Sequence, residues 1–283
     1  MTQPTDHVIR AMTDDGAFRV LALRATDTVR ALLDAQAVRG PTAWTLADLA
    51  CAAVLVRETM APGNRVQALY TDPGGGRLVA DAHPEGLTRG LAQVGDDVLG
   101  AFVRAGGIFE VVRVMRPGKG HHGVIETHDD DSVAEALARY FLQSEQVTTM
   151  LRLGCVFEED RVVAAGGFVV QLLPELTEPP LARMRARIDA LGSIESLLLS
   201  TDADPSQLLG SLVEGEIHTQ LADSTVRFGC VCSQERVVAS LATLGEDDLR
   251  DLLARGEELG VTCDYCRKRW VAGPDDYRRL LGS

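Results

Sequence analysis

This 283-residue sequence predicts an α+β protein in three parts: an N-terminal domain of mixed sheet and helix (1–176), an amphipathic helical linker (177–229) and a small C-terminal domain (230–283). Strand-like and helical patterns are interspersed in the first part, which favours an α+β domain with a mostly antiparallel sheet. Three prolines within residues 173–180 then interrupt the pattern. The third observation is that four of the six cysteines are concentrated near the C-terminus.

The N-terminal domain has one predicted helix near 45–58, whose apolar side is formed by Leu46, Leu49, Ala53 and Val56. Residues 66–71 alternate apolar and polar, and residues 108–115 and 161–173 are rich in β-branched side chains, so these three segments are predicted strands. The glycine-rich stretch 71–79 lacks the residue pattern of a phosphate-binding loop and is predicted to be a hairpin turn.

A second helix is predicted to begin after residue 131. Asp129 to Asp131 place negative charge at its start, and Ser132 with Glu135 has the spacing of a capping box. Its apolar face is formed by Val133, Leu137, Tyr140 and Phe141. The histidines of the preceding segment, PGKGHHGVIETHDDD (117–131), are predicted to lie in a solvated loop.

The linker shows short amphipathic helices. Leu181, Met184, Ile188 and Leu191 share one helical stripe, and Asp204 followed by Pro205 predicts the start of a helix that carries Leu208, Leu209, Leu212 and Val213. Such helices must bury their stripes against a neighbour. Two interpretations stay open: an ordinary helical extension packed on the first domain, and a conditional linker that docks and undocks.

The cysteines of the last part follow the pattern C-x-C-x30-C-x2-C, formed by Cys230, Cys232, Cys263 and Cys266. Two close pairs separated by a few tens of residues favour a tetrahedral four-cysteine zinc site. The basic residues 267–269 directly after the last cysteine would offset the charge of four thiolates. Zinc binding supplies roughly 10–16 kcal/mol of apparent folding free energy to small domains, which a unit of a few short helices and one hairpin needs.

Three roles for this cysteine cluster are compatible with the pattern. A permanent zinc ribbon of an interaction protein is the first. The second is a redox sensor, because each pair is close enough in sequence to form a disulfide, and oxidation would eject the metal and unfold the unit. A thioredoxin-like oxidoreductase fits less well, since the C-x-x-C does not follow a strand in a βαβ unit. Cys51 and Cys155 lie in apolar stretches and are predicted to be core thiols.

Composition limits the possible functions. The formal net charge of −13 disfavours binding to nucleic acid, which needs a basic face. The longest apolar run, around 49–56, is too short to cross a membrane, and the N-terminal residues lack the pattern of a secretory signal. We therefore expect a cytoplasmic protein with reduced thiols and no membrane or nucleic-acid partner. No arrangement typical of a catalytic site stands out, so an enzyme is not predicted.

The sequence resembles the heat shock protein 33 family, the redox-regulated holdase chaperones of bacteria. The resemblance rests first on CVCS and CDYC with thirty residues between their cysteine pairs, and on the helical segment 233–256 that links them. It extends upstream through ARYFLQSEQ (138–146), AAGGFVVQLLP (164–174) and DHVIRAMTDDGAFRVLAL (6–23), and so covers essentially the whole chain. Arg267 departs from the family, which commonly has a small or polar residue there, and Trp270 replaces a usual tyrosine.

This resemblance implies a chaperone of the stress response that uses no ATP. In the reduced state Cys230, Cys232, Cys263 and Cys266 would hold Zn²⁺, and oxidation would convert them to the disulfides Cys230–Cys232 and Cys263–Cys266. The C-terminal domain would then unfold, the linker would loosen, and apolar surface would bind unfolding client proteins. Oxidised subunits are expected to form homodimers. The client-binding residues would be those of the linker stripes: Leu181, Met184, Ile188, Leu191, Leu208 and Leu212.

Overall fold

The structure is a computed structural model that describes residues 5–94, 102–115, 118–128, 131–173 and 181–282. It forms two compact units that divide between Phe228 and Gly229. Helices and sheets occur together in the first unit, so the predicted α+β fold class is confirmed. The predicted boundary between residues 176 and 177 lies outside the described residues, and the three-part division of the chain stays a prediction.

The first unit contains eleven strands and six helices among its described residues. In chain order they are β1 (His7–Thr13), β2 (Phe18–Arg24), α1 (Thr26–Gln36), α2 (Gly40–Glu58), β3 (Arg65–Thr71), β4 (Arg77–Ala82), β5 (Leu87–Gln93), β6 (Ile108–Met115), β7 (Lys119–Glu126), α3 (Val133–Ser144), β8 (Thr149–Glu158), β9 (Arg161–Leu172), α4 (Leu181–Ala190), α5 (Ile194–Ser200), α6 (Pro205–Leu212), β10 (His218–Thr225) and β11 (Arg227–Phe228).

The strands form two sheets. The first has the order β10-β1-β2-β9-β8, and the second has the order β11-β5-β4-β3-β6-β7. All described pairs in these two sheets are antiparallel except the short parallel pair of β11 with β5. Helix α2 contacts strands of both sheets, which explains why it is apolar on nearly every side. The hairpin turn predicted for 71–79 is confirmed by the pairing of β3 with β4.

The first sheet is covered on both faces, and strand β2 shows this best. Leu21 and Leu23 point into the core formed with α1, α2 and α3, which we call the inner core. Phe18, Val20 and Ala22 alternate with them and point to the opposite face. Because side chains of a strand alternate between faces, a strand that is apolar at consecutive positions must be buried on both.

Helices α4, α5 and α6 cover the opposite face. Their apolar side chains pack on those of β1, β2 and β9 in a cluster that we call the outer-face cluster. Its buried members are Ile9, Ala11, Ala17, Phe18, Val20, Ala22, Ala164, Phe168, Val170, Met184, Ile188, Ile194, Leu197, Leu198, Ala203, Leu208, Leu209, Leu212 and Val213. The apolar stripes predicted for the linker are therefore buried against the N-terminal sheet.

Local signals in the sequence place the ends of two helices correctly. The Ser132 hydroxyl accepts from the backbone N–H of Glu135, and the Glu135 carboxylate accepts from the backbone N–H of Ser132 at 2.7 Å. Asp204 caps α6 by accepting from the N–H of Ser206, with Pro205 at the first helical position. Residues 129–130, which we expected to charge the start of α3, lie outside the described residues.

Two segments form strands that the sequence analysis did not predict. The predicted loop 117–131 is wrong for residues 119–126, because these form β7 and pair with β6 along their whole length. The second half of the predicted linker, to which the sequence analysis assigned no element, forms β10 on β1 and β11 on β5. Among the described residues no helix combines the length and the apolar character needed to cross a membrane.

The second unit contains α7 (Gln234–Ser240), α8 (Glu246–Arg255), the hairpin of β12 (Leu259–Thr262) and β13 (Arg269–Ala272), and α9 (Pro274–Leu281). The helical segment predicted between the cysteine pairs and the predicted hairpin are thus present, and α9 follows the hairpin. The buried apolar residues among those described in this unit are Val237, Val238, Leu241, Leu249, Ala272 and Tyr277, and all of them except Val237 form one cluster. The Tyr277 hydroxyl donates to the carbonyl of Ala272 and accepts from the N–H of Leu259, which ties α9 to the hairpin.

Candidate metal centre

The first cysteine pair lies in the extended segment directly before α7. Ser233 caps this helix by accepting from the N–H of Arg236, and the Arg236 guanidinium reaches back to donate to the carbonyl of Val231 at 2.9 Å. The carbonyl between Cys230 and Cys232 is therefore fixed by the first turn of the helix that follows.

The second pair lies in the turn of the β12–β13 hairpin. The N–H of Cys263 donates to the carbonyl of Lys268 at 2.9 Å, and the N–H of Arg267 donates to the carbonyl of Cys263 at 2.8 Å. Arg267 adopts a left-handed conformation with φ of 57°. Side chains with a Cβ are disfavoured in this region, so glycine would adopt the backbone conformation of this turn more easily than arginine does.

The turn and the extended segment bring the four sulfur atoms together, all within 4.8 Å of one another. The Sγ atoms of Cys230 and Cys263 lie 3.7 Å apart, and those of Cys232 and Cys266 lie 3.4 Å apart. Four thiolates bound at about 2.3 Å to one tetrahedral ion lie about 3.8 Å from each other. The spacing and the all-sulfur donor set therefore fit zinc.

The four thiols raise the cost of deprotonating one another. Burial and the neighbouring cysteines raise the pKa of Cys266 to about 12, and burial also raises the pKa of Cys232. Without a cation these two thiols keep their protons at neutral pH, so metal binding must displace protons. Lys268 lies with its Nζ 4.0 Å from the centre of the Trp270 ring, a cation–π contact beside the second cysteine pair.

The other two cysteines lie in the first unit. Cys51 on α2 is fully buried in the inner core, and Cys155 on β8 is partly buried against it. Burial raises the pKa of both thiols. A raised pKa leaves little thiolate, the species that reacts with oxidants, so both behave as core thiols.

The predicted client-binding residues are brought together on the outer face of the first sheet. Met184, Ile188, Leu208 and Leu212 are buried members of the outer-face cluster, and Leu191 packs at its margin. Leu181 is half-buried at the start of α4.

Sequence analysis missed the surface on which α5 rests. Gly154 on β8 and Gly166 on β9 are directly paired across the two strands. A Cβ at Gly154 would come within 2.8 Å of Ile194. One at Gly166 would come within 2.1 Å of the backbone oxygen of Leu23 on β2 and within 3.3 Å of Leu198. The glycine pair thus forms a depression that admits two apolar side chains of α5. The run AAGGFVV contained the signal, but its meaning depends on the helix that packs there.

Comparisons with known proteins find one matching family, similar sequences and a solved structure with a similar fold. The family model described as "Hsp33 protein" matches residues 6–272. The chain is 31% identical to the 33 kDa chaperonin of Syntrophotalea carbinolica, with 98% of this chain and 99% of that protein covered. It is 26% identical to the 33 kDa chaperonin of Streptococcus pneumoniae, with 98% of each chain covered. The crystal structure of the 33 kDa chaperonin (heat shock protein 33 homologue) of Thermotoga maritima superposes with a TM-score of 0.83 at 23% identity, over 99% of this chain and 98% of that one, and shows the same fold.

Proposed function

The chain belongs to the Hsp33 family, and we propose from this membership that it is an ATP-independent holdase chaperone activated by oxidation of its four-cysteine centre. The observation that carries the proposal is the placement of the two features that such a switch needs. A cluster of four thiols lies in a unit with six buried apolar residues among those that the structure describes. Before it in the chain, separated from it only by β10 and β11, three short helices cover an apolar sheet face.

In the reduced state, Cys230, Cys232, Cys263 and Cys266 are the proposed ligands of Zn²⁺. When bound, zinc would hold the four thiolates together and stabilise them against protonation. The rest of the unit has little else to hold it, because its buried apolar core is small and a unit of this size usually needs a metal or a disulfide. Zinc would thus stabilise the folded C-terminal unit of the inactive state.

Oxidation removes the ligands. We propose that Cys230 bonds to Cys232 and Cys263 to Cys266, each disulfide forming as two thiolates lose two electrons. Hydrogen peroxide accepts the two electrons and, with two protons, becomes two molecules of water. The sulfurs are then no longer available as thiolates, and the small unit loses the interaction on which its fold depends.

Loosening of the linker (177–229) follows in this proposal, and it uncovers the outer-face cluster. The apolar residues of β1, β2 and β9 and those of α4 to α6 would then bind exposed apolar segments of unfolding proteins. Large newly exposed apolar faces also favour self-association, which supports a homodimer of the oxidised form. The net charge of −13 keeps such a protein soluble and disfavours nucleic-acid partners, and a cytoplasmic location supplies the reducing conditions of the resting state.

A light-scattering assay tests the proposal. A thermally unfolding client is followed in the presence of the reduced, zinc-loaded protein or of protein treated with peroxide at elevated temperature. We expect suppression of aggregation only after oxidation, and its loss on adding a thiol reductant. Equal suppression in both states would make the chaperone constitutive and the metal structural. No suppression in either state would favour an interaction protein with a permanent zinc ribbon.

A further inference from the structure

The two turns that join α4, α5 and α6 are each contacted by an arginine of the first sheet. Arg152, on edge strand β8, donates from Nη1 to the carbonyl of Gly192, in the turn between α4 and α5. Its Nη2 lies 3.5 Å from the Asp189 carboxylate in the last turn of α4. A guanidinium beside the carbonyl end of a helix is favourable, because these carbonyls carry partial negative charge.

Arg24, at the end of β2, contacts the turn between α5 and α6 in the same way. Its Nη1 donates to the carbonyl of Asp202, and its guanidinium is buried, with only 7% of the side chain exposed. On its other side Nε lies 3.5 Å from the buried carboxylate of Asp6. Arg24 therefore joins the N-terminal strand, the sheet and the turn.

The turn held by Arg24 is conformationally strained. Asp202 and Ala203 both have φ of 51°, and neither is a glycine. Left-handed conformations are unfavourable for L-residues, less so for Asp, and persist where the surroundings impose them. Here the surroundings are the Arg24 contact, the fully buried Ala203 methyl group and the bond from the N–H of Ala203 to the carbonyl of Leu198.

We propose that Arg24 and Arg152 form two clamps that hold α4 to α6 in one position on the sheet and set how readily these helices are released. Apolar packing in the outer-face cluster is non-directional, whereas a guanidinium that donates to a carbonyl fixes position. The regulatory part of this inference rests on the proposed function, in which release of the linker activates the chaperone.

Both clamps can open without leaving an unpaired buried charge. When the Asp202 carbonyl moves away, Arg24 keeps the Asp6 carboxylate 3.5 Å from its Nε, an ion pair without a hydrogen bond between these two atoms. Arg152 lies on an edge strand, where water replaces its contacts. Removing one partner of a buried ion pair is strongly destabilising. A clamp whose opening left such an unpaired charge would therefore oppose the release of α4 to α6. This arrangement suits a linker that must return to the sheet after reduction.

The test compares Arg152→Met with Arg185→Met, both in reduced, zinc-loaded protein. Arg185 is an exposed arginine of α4 with no hydrogen bond or ion pair to any described residue, so its replacement controls for the loss of one positive charge. Hydrogen exchange of the amides in 181–213 measures docking directly. We expect exchange about ten-fold faster in Arg152→Met, the factor that corresponds to ~1.4 kcal/mol, and unchanged in Arg185→Met.

For the second clamp, Arg24→Lys loses the planar guanidinium that reaches Asp202. The variant keeps a positive charge beside Asp6, and this retained charge protects the fold of the sheet. Its exchange should rise in residues 194–213, with the amides of β2 and β9 unchanged. Wild-type exchange rates in both Arg152→Met and Arg24→Lys would show that these two arginines do not hold α4 to α6 on the sheet.

The regulatory role has its own readout, the peroxide concentration needed to suppress client aggregation. Faster exchange together with a lower peroxide requirement supports the whole inference. Faster exchange with an unchanged requirement, in an assay where wild type responds to peroxide, overturns the regulatory role alone. If wild type does not respond to peroxide, the proposed function fails, and the exchange rates still decide whether the clamps hold the helices.

Discussion

Replacing Gly154 by alanine should loosen α5 without harming the sheet beneath it. A Cβ at this position would lie 2.8 Å from Cγ2 and 3.2 Å from Cγ1 of Ile194, and 3.4 Å from Cδ1 of Leu198. All three nearest atoms belong to α5, and none belongs to the sheet. The methyl group therefore acts on the docking of the helix, while alanine is preferred to glycine in a strand by roughly 0.5–1 kcal/mol.

The size of the effect follows from the crowding. An extra methyl group in a packed interface costs about 1–3 kcal/mol, and Ile194 is β-branched and has little freedom to turn aside. The ratio of docked to released helix should fall by roughly 5- to 150-fold. Hydrogen exchange of 194–200 in the reduced protein measures this ratio. Under the proposed function, the peroxide concentration needed for chaperone activity should fall with it.

A double-mutant cycle identifies the cause. Ile194→Ala removes the atoms that the new methyl group meets, so Gly154→Ala should cost much less in the Ile194→Ala background than in the wild type. Additive effects would mean that the clash is not what loosens the helix. Unchanged exchange in Gly154→Ala itself would show that α5 does not rest on the glycine pair.

Three further perturbations probe the linker, the metal centre and pH. Leu198→Ala should cost about 2–5 kcal/mol of docking free energy and lower the peroxide requirement, whereas Leu199→Ala, whose side chain is 55% exposed, should stay within about 0.5 kcal/mol of wild type in hydrogen exchange. Cys263→Ser should weaken zinc binding by more than about 100-fold in a chelator competition, with Cys155→Ser as the control; wild-type affinity would refute the four-cysteine assignment. Burial raises the pKa of Asp48 from 3.8 to about 7, so the folded state retains a proton that the unfolded state has lost, and stability falls as pH rises through this range. Asp48→Asn should remove this dependence of stability on pH and raise the Tm at pH 8 but not at pH 4. An unchanged pH dependence in Asp48→Asn would contradict the raised pKa of Asp48.

The features that sequence analysis predicted correctly are encoded by residues close together in the chain. The capping box of Ser132 and Glu135 needs only four residues, and the stripes of α4 and α6 need only two helical turns. The clustering of the four cysteines was also predictable, because each pair lies in a local segment and only the meeting of the two pairs is long-range. The spacing of the cysteines in the sequence was the only signal that the two pairs lie together.

The missed features depend on partners distant in sequence. Strand β10 reads HTQLADST, is mostly exposed and lacks the apolar alternation of a strand, yet it pairs with β1 more than 200 residues away. Strand β7 was assigned to a loop because of its two glycines and paired histidines, and its pairing with β6 overrides that preference. The Gly154–Gly166 depression and the arginine contacts have meaning only once α4 to α6 lie on the sheet.

The proposed function requires release of one cover of the first sheet, and the topology favours helices α4 to α6 for this role. Helices α1 to α3 lie between strands β2 and β8 in the chain, so their removal would disrupt the sheet on both sides. Helices α4 to α6 follow the last central strand, β9, and lead only to the mostly exposed β10 and the two-residue β11. Segments with few buried contacts and exposed hydrogen bonds open at the lowest free energy. Release of α4 to α6 alone would uncover Phe18, Val20 and Phe168 while leaving the inner core intact, including Val226 between β10 and β11. This is the behaviour required of a client-binding surface that is hidden at rest.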